Sequence, residues 1–153
     1  MKNYPKINIG IGGIIIRDKS KILLTRRKSD PSVWTIPSGY MEKDENLFET
    51  IIREAREETN IVIRPKGIAG MRQRITEKEG NNLWIIAVAD YRSGKVTPDN
   101  YEILEAQFLT LPEALKEKTT LVTRYLLKML LKNKLQIFLP QKNLDQKQYR
   151  LFA

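Results

Sequence analysis

Acidic side chains are concentrated in one stretch of this otherwise basic chain. Residues 39–61 hold seven Asp or Glu against three Lys or Arg, a net charge of −4, whereas the whole chain carries +9. Three of the carboxylates, Glu54, Glu57 and Glu58, are spaced so that they share one stripe of a helix. Like charges repel on a helix, and a bound cation would offset that repulsion. Carboxylate oxygens are hard donors, so the set suits Mg²⁺ or Mn²⁺ better than zinc.

The helix that must carry these carboxylates is predicted over residues 47–59. Asn46 followed by Glu49 has the spacing of a capping box, with Asn in place of Ser or Thr. Apolar residues fall one turn apart and form the buried stripe of this helix: Leu47, Ile51 and Ala55. By itself the acidic stripe is equally compatible with an ordinary solvated helix. The metal interpretation therefore depends on the residues around it.

The spacing of those surrounding residues resembles the Nudix box, whose pattern is GX5EX7REUXEEXGU. The matching positions are Gly39, Glu45, Arg53, Glu54, Ala55, Glu57, Glu58 and Ile61. Asn60 replaces the last glycine, at a helix end where positive φ is wanted and asparagine is the next best residue. Upstream, residues 34–39 read WTIPSG and are similar to the W-x-L-P-G-G segment of the family, with Ser38 for the first glycine. The chain is identified on these residues as a member of the Nudix hydrolase family.

The resemblance implies a fold, a cofactor and a reaction. The implied fold is α+β, an α/β/α sandwich in which a mixed β-sheet lies between helices and the loop–helix–loop of the box crosses it. The implied ligands of Mg²⁺ or Mn²⁺ are the carbonyl of Gly39 and the side chains of Glu54, Glu57 and Glu58. Arg53 would pin the carboxylates by ion pairing. The implied reaction is hydrolysis of the diphosphate linkage of a nucleoside diphosphate joined to another group.

The resemblance leaves several candidates for the general base and for substrate binding. Glu54 or a loop carboxylate would deprotonate water, and Glu102 is favoured among the loop candidates, which also include Glu77, Glu79 and Glu105. Arg27 stands where the family often has an arginine that reaches substrate phosphate, and Arg26 is the second candidate. Adjacent strand residues point to opposite faces. For each arginine, an exposed charge at a strand end is an equal alternative.

The box does not determine the group that is joined to the nucleoside diphosphate. Residues 76–78 hold neither the proline found in many ADP-ribose pyrophosphatases nor the tyrosine found in dinucleoside polyphosphate hydrolases. Trp84 and Tyr91 could stack a base, although their place in a strand favours the core. An ADP-ribose-like nucleotide derivative is favoured as the substrate. The alternative enzyme is a house-cleaning nucleoside triphosphate pyrophosphohydrolase.

Composition restricts the remaining classes of function. The 153 residues are 41% hydrophobic, enough for one domain with a core. The absence of Cys and His excludes disulfides, a Cys nucleophile, a Ser-His-Asp triad and His-ligated metals. The start resembles no signal peptide and no apolar run is long enough for a membrane span. We therefore expect a cytoplasmic protein with no membrane partner.

The basic charge indicates anionic partners, since the sequence pI is near 9.8. Residues 111–153 hold nine Lys or Arg against three acidic residues, a net charge of +6. This charge could steer phosphorylated small molecules or contact nucleic acid, and a solvated lysine-rich face is an equal alternative. Because no RNA-binding motif is present, a protein that acts on RNA ends or binds nucleic acid is the secondary hypothesis. A ligand-sensing module without turnover is disfavoured by the intact acidic box.

Periodicity and turn residues predict the elements that position the site. Strands are predicted at 7–16, 21–27, 61–64, 68–75, 83–91 and 102–109, with turns at 18–20 and 65–67 and loops at 28–32 and 76–82. A short helix is predicted at 111–115, and a final amphipathic helix follows a cap at Thr119 or Thr120. Residues 83–91 are nearly all apolar, which predicts a strand buried on both faces.

Two segments outside the box need their own interpretation. Gly10, Gly12 and Gly13 do not form a dinucleotide fingerprint, because Ile15 stands where the third glycine belongs. These glycines predict a strand that a ligand or another backbone approaches closely. The Nudix domain is predicted over residues 1–133, and residues 134–153 form a basic polar tail. The tail could be a packed extension, an edge strand, a homodimer arm or a frayed end.

Overall fold

Among the described residues, seven strands form one mixed β-sheet. The computed structural model describes residues 6–76, 80–141 and 152–153. The strands are β1 (Ile7–Arg17), β2 (Lys21–Arg27), β3 (Asp30–Thr35), β4 (Ser38–Tyr40), β5 (Val62–Thr76), β6 (Gly80–Ser93) and β7 (Ile103–Thr110). The helices in these residues are α1 (Leu47–Thr59), α2 (Leu111–Lys116) and α3 (Leu121–Leu131). None of them combines the length and the apolar character that a membrane span needs.

The main order of hydrogen-bonded strands is β3-β2-β1-β6-β5, and two further strands pair outside this path. β4 pairs with β1, and β7 pairs with β2. β1 and β6 run parallel, and the other strand pairs are antiparallel. The turn between β1 and β2 contains Asp18 and Lys19 at φ 52° and 59°. Two successive left-handed residues match the right-handed twist of a hairpin, so the predicted hairpin forms.

Helices cover both faces of the sheet, and the expected α/β/α sandwich is confirmed. α1 packs on one face through Ile51 and Ala55, and α3 packs on the other through Leu126 and Leu127. β6 contributes to both core clusters, with Ile86 and Val88 on the α3 side and Ala87 and Ala89 on the α1 side. The prediction that this strand is buried on both faces is therefore confirmed for its central part.

α1 begins and ends where its sequence predicts. The Asn46 side chain accepts hydrogen bonds from the N–H groups of Phe48 and Glu49, at 3.0 and 3.1 Å. The Glu49 carboxylate accepts from the Asn46 N–H at 2.8 Å, which completes the capping box. At the other end Asn60 has φ 57° and ψ 30°, the left-handed conformation, and its N–H donates to the Arg56 carbonyl at 2.9 Å. The replaced glycine position thus keeps the backbone conformation that a glycine would adopt.

The left-handed conformation of Asn60 leads to a stability prediction. The Asn60→Ala variant is expected to lose about 1 kcal/mol of unfolding free energy, because alanine lacks the side chain that eases this conformation. For a domain of this size the melting temperature would fall by about 2–4 °C. Asn60→Gly is the matched control and should stay within about 0.5 kcal/mol of the parent. Thermal melts of the three proteins make the comparison, and equal melting of Asn60→Ala and Asn60→Gly would contradict it.

Three predicted boundaries are wrong, each because distant pairing overrides a local turn signal. The turn predicted at 65–67 lies inside the continuous strand β5, where register shifts against β6 absorb the irregular residues. The loop predicted at 76–82 is too long, since Thr76 belongs to β5 and β6 starts at Gly80; residues 77–79 lie outside the described residues. The loop predicted at 28–32 ends early, since β3 starts at Asp30 and pairs with β2.

Side chains pack against the glycines of β1, and the apolar part of the tail hydrogen-bonds to β5. Side chains pack where Cβ atoms are missing: Trp84 against Gly10, Ile36 against Gly12 and Ile51 against Gly13. The backbone of β4 pairs with the same part of β1 as a neighbouring strand, but side chains, and not a second backbone, occupy the space that the missing Cβ atoms leave. In the tail, Phe138 exchanges two backbone hydrogen bonds with Ile68 of β5, at 2.9 and 2.7 Å. The predicted tail therefore packs on the sheet at this point, and residues 142–151 lie outside the described residues.

Candidate active site

An open cavity of about 1060 Å³ lies beside the acidic stripe of α1. Its acidic wall is formed by α1 and by the loop before β7, with these carboxylates: Glu54, Glu57, Glu58, Asp99 and Glu102. The remaining lining comes from strands β1 to β6, the segments that join them and the start of α3, and it includes two further carboxylates, Asp30 and Glu42. The box residues that are distant in sequence therefore meet at one opening.

Gly39 and Glu54 occupy adjoining space at the base of the acidic wall. A Cβ atom added to Gly39 would lie 1.8 Å from Glu54 Oε1 and 2.0 Å from its Cδ. No side chain fits between them, so the glycine is required for the carboxylate to lie against the β4 backbone. Burial raises the pKa of the Glu54 carboxyl, and the hydrogen bond from Arg53 opposes that shift. The geometry explains why a glycine and a glutamate fifteen positions apart belong to one pattern.

Arg53 connects the loop before α1 to the acidic stripe. Its Nε and Nη2 donate to the two oxygens of Glu45, at 2.7 and 3.0 Å. Its Nη1 donates to Glu54 at 2.8 Å and to Glu57 at 3.1 Å, and its Nη2 also donates to the Tyr40 carbonyl at 3.0 Å. The predicted role of Arg53 in pinning carboxylates is consistent with these contacts. The hydrogen bond to Glu45 is the largest cause of a raised pKa for this guanidinium, and burial acts in the opposite direction.

The folding stability that the Glu45–Arg53 interaction contributes should depend on pH. The hydrogen bond from Arg53 lowers the pKa of Glu45 to about 2, from a usual value of 4.5. Because the unfolded chain binds this proton more readily, the stabilisation is present above pH 4.5 and is lost as the pH falls towards 2. The stability difference between the parent and Glu45→Gln should therefore shrink through this window, as measured by denaturant unfolding at several pH values. A difference that is constant from pH 7 to pH 2.5 would contradict the role of Glu45.

Glu58 is the buried member of the acidic stripe, with a side chain that is 3% exposed. One of its oxygens accepts from the Ser38 N–H at 3.2 Å, and the other pairs with the Arg27 guanidinium. Burial raises the pKa of Glu58 to about 8, although the charge of Arg27 acts in the opposite direction. Arg27 also donates to the Ser38 carbonyl and, at 3.0 Å, to Glu102. Arg27 therefore joins β2, β4, α1 and the loop before β7 at the cavity.

The loop before β7 presents Glu102 to the cavity, and Asp99 holds that loop in shape. Asp99 Oδ1 accepts three backbone hydrogen bonds, from Tyr101 and Glu102 at 3.0 Å and from Ile103 at 2.8 Å. The Glu102 side chain is 57% exposed and touches Arg27. Glu102 is thus a loop candidate for the general base that lies beside the acidic stripe, since the Arg27 it contacts also pairs with Glu58.

The structure does not bring every candidate residue to the cavity. Arg26 lies on the other side of the register shift that separates it from Arg27. Its guanidinium pairs with Glu105, and its Cζ lies 5.0 Å from the centre of the Trp34 ring. Arg26 and Glu105 are thus partners of each other outside the cavity lining. Glu77 and Glu79 lie outside the described residues.

Sequence reasoning missed contacts that the backbone makes and one wall of the cavity. Ser38 and Tyr40 take part through their backbone groups, which side-chain patterns do not reveal. Trp84 lines the cavity, whereas Tyr91 packs on Phe108 and donates to the Gly94 carbonyl. Strand alternation places these two rings on opposite faces, but only the pairing of β6 with β1 decides which face meets the cavity.

The donor set of the acidic wall fits a hard divalent cation. Its side-chain donors are carboxylate oxygens, and the Gly39 carbonyl is the backbone oxygen that the family pattern adds. In the described part of the chain, no three acidic side chains converge on one point. Arg53 and Arg27 hold their oxygens instead. Mg²⁺ or Mn²⁺ would therefore compete with these two arginines for the carboxylates.

Comparison with known proteins decides the family. The NUDIX domain model matches residues 6–130. The chain belongs to the Nudix family. A solved structure of a MutT protein from Methanosarcina mazei Go1 has a TM-score of 0.69 and 26% identity, covering 86% of this chain and 98% of that one. The family and the fold predicted from the box are both confirmed.

Two relatives of this Nudix chain are named for their activities. An ADP-ribose pyrophosphatase from Methanocaldococcus jannaschii is 29% identical over 106 residues, which is 67% of this chain and 62% of that protein. An NAD-capped RNA hydrolase NudC from Photorhabdus laumondii subsp. laumondii is 31% identical over 106 residues, which is 69% of this chain and 40% of that protein. This chain spans less than two thirds of the length of each of them.

Proposed function

We propose that this Nudix chain hydrolyses the diphosphate linkage of a nucleoside diphosphate derivative with the help of a divalent metal ion. The observation that carries the proposal is the position of the Glu54 carboxylate in the space that Gly39 leaves empty. Glu57 and Glu58 follow on the same helix, at the same cavity. A solvated charged helix needs no such fit between a glycine and a carboxylate, so the arrangement supports a site for phosphate chemistry.

The metal ligands in this proposal are Glu54, Glu57, Glu58 and the carbonyl of Gly39. A divalent ion supplies charge neutralisation for the phosphates and a lower pKa for water. Arg53 keeps Glu54 and Glu57 together, since one of its nitrogens donates to both. The proton of the attacking water passes to a carboxylate at the cavity, Glu54 or Glu102. Because the chain holds no histidine, these carboxylates do the work that an imidazole does elsewhere.

Arg27 has two roles in the proposal. It holds Glu58 and the Ser38 carbonyl together, which fixes the buried end of the acidic wall. It also keeps a positive charge beside Glu102, at the side of the cavity where substrate phosphate would lie. A substrate phosphate that displaces Glu102 from Arg27 would leave that carboxylate available as a base. Arg26, with its guanidinium paired to Glu105, has no comparable position.

The favoured substrate is an ADP-ribose-like nucleotide derivative. The similarity to an ADP-ribose pyrophosphatase supports this choice. The alternative substrate is a nucleoside triphosphate, which presents the same phosphoanhydride chemistry to the same carboxylates. The substrate is a phosphorylated small molecule in both cases, and the net charge of +9 favours its capture.

Action on RNA ends is the second candidate function, favoured by the similarity to an NAD-capped RNA hydrolase. The basic C-terminal third is only partly free for this purpose. Arg124 of α3 donates to the carbonyls of Leu115 and Glu117, at 3.1 and 2.9 Å, and so stabilises the turn between α2 and α3. Lys128, Lys132 and other exposed lysines remain for contact with an RNA backbone.

A metal-dependent hydrolysis screen tests the proposed function. The purified chain is incubated with ADP-ribose, nucleoside triphosphates, dinucleoside polyphosphates and NAD-capped RNA, with Mg²⁺ and with a chelator. We expect turnover that requires the metal, with ADP-ribose giving the highest kcat/KM. Reaction in ¹⁸O-labelled water shows which phosphorus is attacked. Absence of metal-dependent turnover on every substrate would overturn the proposal, and preference for capped RNA would favour the second candidate.

A further inference from the structure

A row of side chains that crosses four strands contributes to the lining of the cavity. Tyr40 of β4 pairs in register with Gly10 of β1, Gly10 pairs with Trp84 of β6, and Trp84 pairs with Arg72 of β5. Residues paired directly across strands project from the same face of a sheet. Tyr40, Trp84 and Arg72 all line the cavity. They form what we name the aromatic row, which runs away from the Gly39 position along the sheet.

Gly10 sets the shape of the aromatic row. A Cβ atom at this position would lie 2.8 Å from Trp84 Cε2, so the indole covers the space where a side chain would stand. The indole thereby reaches Tyr40, at 5.3 Å between ring centres and 54° between ring planes. Two tilted rings at this separation form a notch of aromatic surface that opens on the cavity. Tyr40 is 48% exposed, so this surface is accessible.

Arg72 closes the far end of the aromatic row. Its Cζ lies 5.7 Å from the centre of the Trp84 ring, and its Nη2 donates to Asn82 at 3.5 Å. Within residues 6–76, 80–141 and 152–153, no carboxylate forms an ion pair with Arg72, and its buried Nε has no hydrogen-bond partner. Within the same residues Nη1 of Arg72 makes no hydrogen bond, so it is the donor that remains for a ligand lying on the rings.

We infer that the aromatic row binds the base of a nucleotide substrate, with Trp84 as the stacking surface and Arg72 as the donor to acceptor atoms on the base edge. The inference rests on the proposed function, because the diphosphate of the same substrate would lie at the acidic wall. Tyr40 directly follows Gly39 in β4, and Gly39 lies against the Glu54 carboxylate. The proposed base site is therefore next to the acidic wall. Stacking accepts any base, and Arg72 would donate to the carbonyl or ring-nitrogen acceptors on its edge.

Core packing is the alternative role for these rings, and Trp34 shows what that role looks like in this fold. Trp34 is 5% exposed and belongs to the core cluster under α3. Trp84 is only partly buried and belongs to neither core cluster, and its neighbours in the row are an exposed tyrosine and an arginine that has no ion-pair partner among the described residues. Trp34 also has an arginine over its ring, Arg26, but that guanidinium pairs with Glu105.

Calorimetric titration of the full chain with nucleoside monophosphates tests the inference. The parent, Trp84→Leu and Arg72→Gln proteins are titrated in Mg²⁺ with AMP, GMP, CMP, UMP and inorganic pyrophosphate. We expect each variant to bind the preferred monophosphate about tenfold more weakly, while pyrophosphate binding changes less than twofold. Arg64→Gln is the matched control, since Arg64 lies on the same strand, pairs with Asp90 and lies outside the cavity. It should bind all the ligands as the parent does.

The outcomes separate this inference from the proposed function. Parent-like nucleotide binding by both variants would overturn the aromatic row as a base site, and so would a parent protein that binds no monophosphate. Equal weakening of pyrophosphate and monophosphates would also overturn it, because the effect would then be structural. If the two variants hydrolyse the substrate with the KM of the parent, the proposed function stands and the base site is wrong. If nucleotide binding depends on Trp84 but no metal-dependent turnover is found, the base site stands and the proposed function is wrong.

Discussion

The Glu57→Gln variant is expected to lose a hundredfold or more in kcat, while its melting temperature stays close to that of the parent. The Glu57 side chain is 60% exposed, and Arg53 is the ion-pair partner that the structure shows for it. Removing its charge therefore disturbs the fold little but takes one ligand from the proposed metal site. The loss of transition-state stabilisation would be on the order of 3 kcal/mol. Steady-state kinetics at saturating Mg²⁺ measures it.

A control with the same change of charge makes the Glu57 result interpretable. Glu117→Gln removes one carboxylate outside the cavity and should keep kcat within about twofold of the parent. Glu58→Gln is a weaker test, because both Glu58 oxygens accept hydrogen bonds and a glutamine has only one acceptor atom. Full turnover by Glu57→Gln would contradict the assignment of this carboxylate to the metal.

The Gly39→Ala variant is expected to lose as much activity as Glu57→Gln, although it removes no functional group. The added Cβ would lie 1.8 Å from Glu54 Oε1, so the carboxylate must leave its place against β4. Since Arg53 holds Glu54 and Glu57 with the same nitrogen, the displacement would also disturb the second carboxylate. A small shift of positioned groups can lower a rate by about a hundredfold. We therefore expect kcat/KM to fall by about this factor or more.

The loop that follows Gly39 supplies a matched control. Lys43 is exposed and lies outside the cavity lining, so Lys43→Ala should leave kcat/KM within about twofold of the parent. Calorimetric titration with Mn²⁺ then separates the explanations for Gly39→Ala. Weaker Mn²⁺ binding by a folded protein supports displacement of Glu54. Parent-like Mn²⁺ binding and kinetics in Gly39→Ala would show that the glycine is not needed for the carboxylate position.

The sequence predicted those parts of the molecule that depend on neighbours in the chain. α1 has the predicted ends because Asn46 and Asn60 act on backbone groups within a few residues. The box was recognisable for the same reason, since its spacing records which helix residues share a face. The covering of both sheet faces followed from the apolar run in β6.

The sequence did not predict the parts that depend on pairing between distant segments. Pro65 and Gly67 read as a turn, but pairing with β6 keeps them within one irregular strand. The link from Arg27 to Glu58 joins residues on different elements, and no local pattern specifies it. Trp84 lines the cavity because Gly10 of another strand leaves room for its ring. Each of these features is fixed by sheet register, which strand periodicity leaves open.

A crystal structure of the chain with Mg²⁺ and a non-hydrolysable ADP-ribose analogue tests the central claim most directly. The account predicts Mg²⁺ within about 2.0–2.1 Å of carboxylate oxygens of Glu54, Glu57 or Glu58, and in contact with the diphosphate. Arg53 and Arg27 would then share these carboxylates with the ion or release them. A structure in which the diphosphate binds elsewhere, with the three carboxylates still paired only to the two arginines, would contradict the account.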